Sequence, residues 1–535
     1  MDSLELIGCG SWVVLVLGRG WLLARRDVAT VRHYDVIALT AALMSVAALG
    51  YTLAWNALHP THPTALRWGV LVINPTTLVV ALLVQFLAWV IGRFSAHYLR
   101  DEPRQAQVWV AFLNVQIAVQ TLLLADSLTL MFLAYSAIGW SMEALLCFYP
   151  ERPFALLAAR KKVLADRVAD VVAIAAVALA IALCGTDSYT QIGELLARAH
   201  ASGALADHSE SATALTATLH WLPWVVGGLG WVVFLRTALM PFHGWLIQVM
   251  EAPTPVSAWL HAGVINLGGY LVIQTRDLWN AVPLAQHALV VSGLISALLA
   301  AWSMTTRISV KVRLAWSTLS QMGFMLVECG LGLYSFALWH LLAHSVYKAM
   351  AFLSASNAVV ECESRRLIKA QPPTLASVVL APALSAALLC ALIALTAQCA
   401  GLVGVNTTLH WPAWWVGTLA FLSAPYLWQS KAQSLPQALS RALSGMGFVL
   451  GAGLVMSVAH LIPLGIVDHP NHAMGVFTGA MVALHYLITA LVSLNPNRLP
   501  AFHRWCFAGF YCDEIYTRLT LRYWPRALRA TPHEP

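Results

Sequence analysis

The sequence predicts an all-α polytopic membrane protein of about fifteen transmembrane helices. Three observations predict it. Hydrophobic residues fill 59% of the 535 positions and charged residues 10%, with a mean hydropathy of +0.71, more apolar surface than a soluble core absorbs. The apolar residues come in runs long enough to cross about 30 Å of hydrocarbon. Lys and Arg gather in short clusters between alternate runs, as topology signals do. The formal charge of +7 therefore describes loops on one side of a lipid bilayer and excludes a nucleic-acid binder.

In chain order the runs fall near 5–24, 34–54, 70–92, 106–124, 128–149, 167–185, 221–240, 256–275, 282–302, 314–332, 335–357, 375–400, 412–429, 444–463 and 474–493. The first reads as a retained span: Asp2 and Glu5 replace a basic leader, and no small-residue cleavage site follows. With the N-terminus outside, the inside loops hold Arg25, Arg26 and Arg32; Arg93, Arg100 and Arg104; Arg152, Arg160, Lys161, Lys162 and Arg167; Arg307, Lys311 and Arg313; Arg365, Arg366 and Lys369; Lys431 and Arg441. The outside loops then hold only Arg67, Arg198 and Arg276. So uneven a split predicts an outside N-terminus and a cytoplasmic C-terminal tail. Arg19, near the end of its run, reads as a snorkelling structural residue. The outside loop 186–220 is polar, with Glu194, Asp207, His208 and Glu210, and predicts a short surface helix around Ile192–His200. The tail from Asn495 to Pro535 mixes Arg with Trp505, Phe507, Phe510, Tyr511, Tyr516, Tyr523 and Trp524, the composition of an interfacial or partner-facing segment. Nine cysteines are scattered without a C-x-x-C and read as small buried hydrophobes.

Chemistry concentrates first in residues 236–270, RTALMPFHGWLIQVMEAPTPVSAWLHAGVINLGGY. Pro241, Pro253 and Pro255 interrupt what would be a helix, because proline lacks an N–H and clashes with the preceding turn. Broken backbone survives in a membrane only where protein or a water-lined cavity satisfies it. The stretch also carries Arg236, His243, Glu251 and His261, costly at membrane depth unless they serve function. The second concentration is WHLLAHSVYKAMAFL, residues 339–353. His340, His344 and Lys348 stand at i, i+4 and i+8, one helix face spanning about 12 Å. Histidine titrates near neutrality and a desolvated lysine gives up its proton more readily, so such a row can pass protons. The alternative is a set of structural polar groups. Two histidines without a Cys or acidic partner nearby make no zinc site, and no metal ligand set is assigned. Among the carboxylates, Asp126, Asp166 and Asp170 lie near the predicted helix ends and are expected to cap or to pair with basic loops such as Arg167. Glu143 and Glu328 sit deeper and are candidates for a buried ion pair with Arg236 or Lys348. No haem, flavin, quinone or nucleotide signature is present, so no cofactor is expected in this chain.

The stretch 241–270 resembles the antiporter-like membrane subunits of respiratory complex I and of cation/proton antiporters. ADSLTLMFL (125–133), KKVLADRVAD (161–170), KVRLAWSTLSQMGFM (311–325) and HLLAHSVYKAMAFL (340–353) extend the resemblance, and FYCDEIY (510–516) is similar to the segment marking the subunit-5 (L) type. The resemblance implies two inverted five-helix repeats, each with a broken helix, linked by a central polar axis. It divides the chain into N-terminal helices at 1–104, a first repeat at 105–275, a second at 276–442, C-terminal helices at 443–494 and a cytoplasmic or interfacial tail at 495–535. By position, His261, His340, His344 and Lys348 match the family's proton-path residues. Arg236 stands where the family has a broken-helix lysine; arginine stays charged, so a fixed counter-charge is expected there.

The departures are informative. Ser136 and Tyr135 stand where the family has a glutamate and a tryptophan, and Glu143, two turns on, is the expected replacement carboxylate. No Lys occurs between Lys369 and Lys431 to match the second broken-helix lysine. The sequence stops soon after FYCDEIY, without the family's long lateral helix, so the expectation is a relative outside complex I. Such a shortened, re-charged relative resembles the membrane subunits of energy-coupled inorganic-carbon accumulation systems. That resemblance implies a bacterial inner-membrane location, a proton or sodium gradient as the driving force, and a zinc-containing partner similar to β-type carbonic anhydrases that handles carbon dioxide or bicarbonate.

Overall fold

The computed structural model describes residues 3–24, 30–58, 66–102, 104–149, 151–201, 210–355, 372–402, 411–430, 434–462, 464–495 and 499–523. Arg25, Arg26, Asp207, His208, Arg365, Arg366, Lys369, Lys431 and Trp524, which entered the sequence reading, lie outside the described residues. The chain is almost wholly helical. Helices α1 (Ser3–Ala24) and α2 (Thr30–Leu58) pair with each other, and α2 leans on α3 (Pro75–Tyr98). The run expected from residue 70 does not begin as a helix. Leu66–Trp68 and Leu71–Ile73 form a two-stranded hairpin whose turn starts at Gly69, φ 58°, the left-handed conformation such turns require. Asn74 then caps α3 reciprocally with Thr77, and Pro75 occupies its first turn, a strong start signal.

Helices α4 (Gln105–Leu124) and α5 (Leu128–Leu146, capped by Ser127) precede the long α6 (Pro153–Cys184). The surface helix expected near Ile192–His200 is α7 (Tyr189–Ala201), and α8 (Glu210–Arg236) packs along α6. Past Arg236 the helix breaks as the prolines require. Ala238 sits at φ 55°, and the Met240 N–H, freed from any helical acceptor, donates to Ser296 Oγ at 3.1 Å. A short α9 (Gly244–Gln248) and a 3₁₀ turn lead to α10 (Thr254–Ala262), which is interrupted at Gly263 before α11 (Leu267–Gln274). Asn266 bridges that interruption, donating to the Ala262 carbonyl at 2.9 Å and to Ser345 Oγ at 2.6 Å.

Helix α12 (Arg276–Asn280) leads into α13 (Pro283–Thr305), α14 (Val310–Gly330) and α15 (Tyr334–Leu353). α13 and α14 meet through Gly293 and Gly323, where a methyl on either would come within 2.6 Å of the other's carbonyl oxygen; such close backbone approach drives helix association in lipid. The remaining helices are α16 (Leu375–Leu402), α17 (Ala413–Ser423), α18 (Leu435–Ala459), α19 (His472–Leu494), α20 (Pro500–Phe507) and α21 (Asp513–Tyr523). One core runs from Leu15 to Phe352 and takes in Tyr516 of the tail, and a smaller one joins Val378, Leu389, Val416, Val449 and Tyr486. Outward faces stay apolar, as at Val168, Val171 and Ile174 of α6, the inversion a lipid-facing helix shows. Among the described residues, 10 helices are long and apolar enough to cross a membrane.

Candidate functional site

Two buried polar clusters lie within this apolar frame. The first is built on α6. Lys162, Asp166 and Asp170 stand four residues apart and share one face, turned inward where Lys162 and Asp166 are buried. The last residue of α8, Arg236, reaches between them with only 4% of its side chain exposed. Its Nη1 donates to Asp166 Oδ1 at 3.1 Å and to the Tyr135 carbonyl at 3.2 Å, while Nη2 donates to Asp170 Oδ1 at 2.5 Å. Lys162 pairs with Asp166, Arg167 with Asp170 at 2.7 Å, and Ser136 Oγ donates to Asp170 Oδ1 at 2.6 Å. The fork geometry of a guanidinium is what permits one cation to hold two carboxylates. Gly139 on α5 makes room: a methyl there would stand 2.7 Å from Asp166 Oδ2 and 3.2 Å from Arg236 Nη1.

This arrangement corrects two expectations. Asp166 and Asp170 are interior to a helix rather than at its end, because the amphipathic KKVLADRVAD extends α6 back to Pro153. The partners of Arg236 are these two aspartates and not Glu143, which makes no ion pair among the described residues. Ser136, at the position where the family has a glutamate, hydrogen-bonds the α6 carboxylate of Asp170.

The second cluster is built on α15. His340 contacts Glu328 Oε2 through Nδ1 at 2.8 Å and Gln321 Oε1 through Nε2 at 2.8 Å. Glu328 is buried, and the side chain it meets is this histidine, not Arg236 or Lys348. One turn on, the His344 ring lies 6.1 Å from that of His340. A further turn on, Lys348 is fully buried and donates to the Leu314 carbonyl at 3.1 Å. His261 of α10 stacks on Phe352 at 4.6 Å, one turn beyond Lys348. Both ring nitrogens of His261 and of His344 are buried without a protein hydrogen-bond partner. Purely structural polar groups are rarely left so, since each unpaired one costs roughly 1–3 kcal/mol.

The other predicted residues have local roles. Asp126 accepts from Ser188 Oγ at 2.6 Å and Thr190 Oγ1 at 2.7 Å, which pins the start of α7. Glu251 is exposed, and only its carbonyl is engaged, by Arg152 at 2.9 Å. Arg19 Nε donates to Asn114 Oδ1 at 2.5 Å. The sequence reading missed the inward placement of Lys161, Lys162 and Asp166, counting them as loop or cap charges; the four-residue spacing within KKVLADRVAD was the available signal. For the tail, expected at a membrane interface or against a partner, the fold adds an internal contact: α21 packs on α6, where Asp513 meets Lys161 at 2.7 Å. Two cavities carry charged side chains in their walls. One, of about 630 Å³, is lined by Arg67, Asn74, Glu194, Arg276, Asp277 and His469; the other, of about 390 Å³, includes His243, Arg307 and Asp513.

Comparison with known proteins gives the family. Residues 125–424 match the model of the family described as NADH:quinone oxidoreductase/Mrp antiporter, transmembrane. The chain is 35% identical to the probable inorganic carbon transporter subunit DabB of Hydrogenovibrio crunogenus, over 85% of this chain and 84% of that protein. It is 39% identical to the probable subunit DabB2 of Halothiobacillus neapolitanus over 56% of this chain and 52% of that one. NADH-quinone oxidoreductase subunit L of Escherichia coli is 30% identical over 56% of this chain and 46% of its own length. A chain in the solved Mrp complex from Dietzia sp. shares the fold, with a TM-score of 0.55 at 20% identity, over 95% of this chain and 60% of that one. With the match spanning more than half the chain, and with buried charge on a broken helix and on its neighbours, this protein belongs to the NADH:quinone oxidoreductase/Mrp antiporter family of ion-conducting membrane subunits, and its relatives include the DabB inorganic carbon transporter subunits.

Proposed function

We propose that this chain is the ion-conducting membrane subunit of an energy-coupled inorganic-carbon uptake complex. Protons or sodium ions run down their gradient through it and drive a DabA-like partner, a zinc protein of β-type carbonic anhydrase character on the cytoplasmic side. The observation that carries the reading is the row of His340, His344 and Lys348 on one face of α15, with His344, Lys348 and His261 buried and His261 stacked on Phe352 one turn beyond Lys348, in a chain related to a DabB subunit over 85% of its length. In this reading the row relays the ion and Glu328 orients the His340 ring. Arg236 remains ionised and acts as a fixed counter-charge held by Asp166 and Asp170. The conversion of carbon dioxide to bicarbonate belongs to the partner, so this subunit transports and does not itself catalyse.

The same reading assigns fifteen spans in a bacterial inner membrane, with inverted repeats at 105–275 and 276–442, an outside N-terminus and a cytoplasmic C-terminus. The unequal division of Lys and Arg between alternate loops supports the span count and the orientation, and the family relationship supports the repeats. A second reading, a subunit of a complex I-like or hydrogenase redox complex, is favoured by the 30% identity to subunit L. Purifying the tagged chain from its host and identifying what comes with it decides between them. A co-purifying zinc protein supports carbon uptake. Quinone-oxidoreductase or hydrogenase subunits in its place would overturn it.

A further inference from the structure

The tail is the motif-bearing segment that the ion row leaves unused. α21 opens with Asp513 and Glu514 and packs on α6 and α9. Lys161 of α6, whose side chain is 0% exposed, donates to Asp513 Oδ2 at 2.7 Å, and that carboxylate is 27% exposed. Gln248 Nε2 at 3.4 Å and Thr517 Oγ1 at 3.2 Å reach the same oxygen, while Oδ1 is buried without a protein partner. The Tyr516 hydroxyl donates to the Lys161 carbonyl, and a methyl at Gly244 would overlap the Asp513 carboxylate. Asp513 lines the cavity of about 390 Å³ together with His243, Gln248, Arg307, Glu514 and Arg518. His243 is buried there with Nδ1 unpartnered.

A tail that served only as an anchor would be held well enough by Tyr516 in the core. Burying a lysine completely is expensive, and here the burial is matched by one carboxylate that also faces an open cavity. Lys162, the next residue, carries the ion pair to Asp166 beneath Arg236. The Asp513–Lys161 pair thus joins the cavity to the helix that also carries the first buried cluster.

We propose that Asp513 is the mouth carboxylate of the ion path, taking protons from the cavity and exchanging them with Lys161. This rests on the conducting role proposed above. In the step, the O–H bond of a protonated Asp513 breaks as an N–H bond forms on neutral Lys161, which leaves the carboxylate–ammonium pair. Once the Lys161 ammonium has given its proton to water on the inner side and is neutral again, Asp513 takes the next proton from hydronium in the cavity, which leaves water. The tail becomes part of the conducting machinery rather than only a docking segment.

The test is proton flux across liposomes holding the complex purified from its host. Asp513→Asn keeps an acceptor for Lys161 but carries no proton, and is expected to lower flux at least tenfold with the tail still protected from protease. Asp513→Glu is expected to recover part of the rate. Tyr516→Phe, which removes a tail contact and leaves the carboxylate, is expected to conduct. Wild-type flux in Asp513→Asn overturns the proposal, as do equal losses in Asp513→Asn and Tyr516→Phe with the tail released in both. Lys348→Ala separates the two levels. If it is inactive while Asp513→Asn conducts, only the mouth assignment fails; if Lys348→Ala itself conducts normally, the underlying conduction reading fails.

Discussion

Gly139→Ala is the sharpest probe of the first buried cluster, because helix propensity and packing push in opposite directions. Alanine is the better helix former by about 1 kcal/mol, so an exposed Gly139 would gain stability on substitution. In the fold, the added methyl would lie 2.7 Å from Asp166 Oδ2 and 3.2 Å from Arg236 Nη1, inside van der Waals contact on both partners of one ion pair. Neither can retreat freely: Asp166 is held by Lys162, and Arg236 by Asp170 and the Tyr135 carbonyl. Overpacking costs about 1–3 kcal/mol, and loss of one charge-assisted hydrogen bond about 1.5–3 kcal/mol. Set against the propensity gain, Gly139→Ala is expected to destabilise by about 1.5–5 kcal/mol. Gly227 on α8 supplies the control, since a methyl there meets nothing within 4 Å, and Gly227→Ala is expected to be neutral or slightly stabilising. Denaturant unfolding of the two purified variants in detergent measures the difference. Equal stability would refute the claim that Asp166 and Arg236 meet across Gly139.

Other outcomes follow from the same geometry. Arg236→Met should abolish flux, since it leaves Asp166 and Asp170 short of their shared cation, whereas Arg236→Lys should keep part of it, charge surviving without the fork; normal conduction by Arg236→Met would remove the counter-charge role. Asp170→Asn should impair flux more than Glu143→Gln, because Arg236 contacts the former and not the latter; the reverse order would restore Glu143 as the working carboxylate. Lys348→Ala or His344→Ala should stop flux in proteoliposomes while leaving assembly with the partner intact, and wild-type rates would return the row to a structural role. In the loop before α19, Asp468 accepts from the Ser335 N–H at 2.8 Å at the start of α15, and burial raises its carboxyl above the usual range. The folded state thus binds this proton more tightly than the unfolded chain, so its contribution to stability falls as pH rises from the ordinary aspartate range through the folded value. Asp468→Asn should flatten that part of the stability–pH curve, and an unchanged slope would disprove the assignment.

Much of the architecture was legible in the chain itself. Long apolar runs must cross or bury, prolines at 241, 253 and 255 must interrupt a helix, and residues four apart on one helix must share a face. His340, His344 and Lys348 could therefore be grouped from spacing alone; in the fold His344 and Lys348 are buried and His340 is partly exposed. Boundaries set by amphipathic sequence were less legible. The polar KKVLADRVAD reads as loop and helix end because hydropathy averages over its buried and lipid-facing sides, which puts Lys162 with the loop charges and Asp166 and Asp170 at a helix end.

What the sequence could not decide was pairing between segments far apart in the chain. Which carboxylate meets Arg236 depends on how α6 and α8 rotate against each other and on the space left by Gly139, both products of packing. The choice of Asp166 and Asp170 over Glu143 was decided there. Likewise, nothing local to FYCDEIY tells that Asp513 meets Lys161 across 352 positions; only the return of the tail over α9, where Gly244 leaves room for the carboxylate, brings them together. Helical order, breaks and the histidine–lysine row were thus determined by local periodicity and backbone chemistry, and the charge partners by tertiary contact, because an ion pair is fixed by distance in space and has no signature in spacing along the chain.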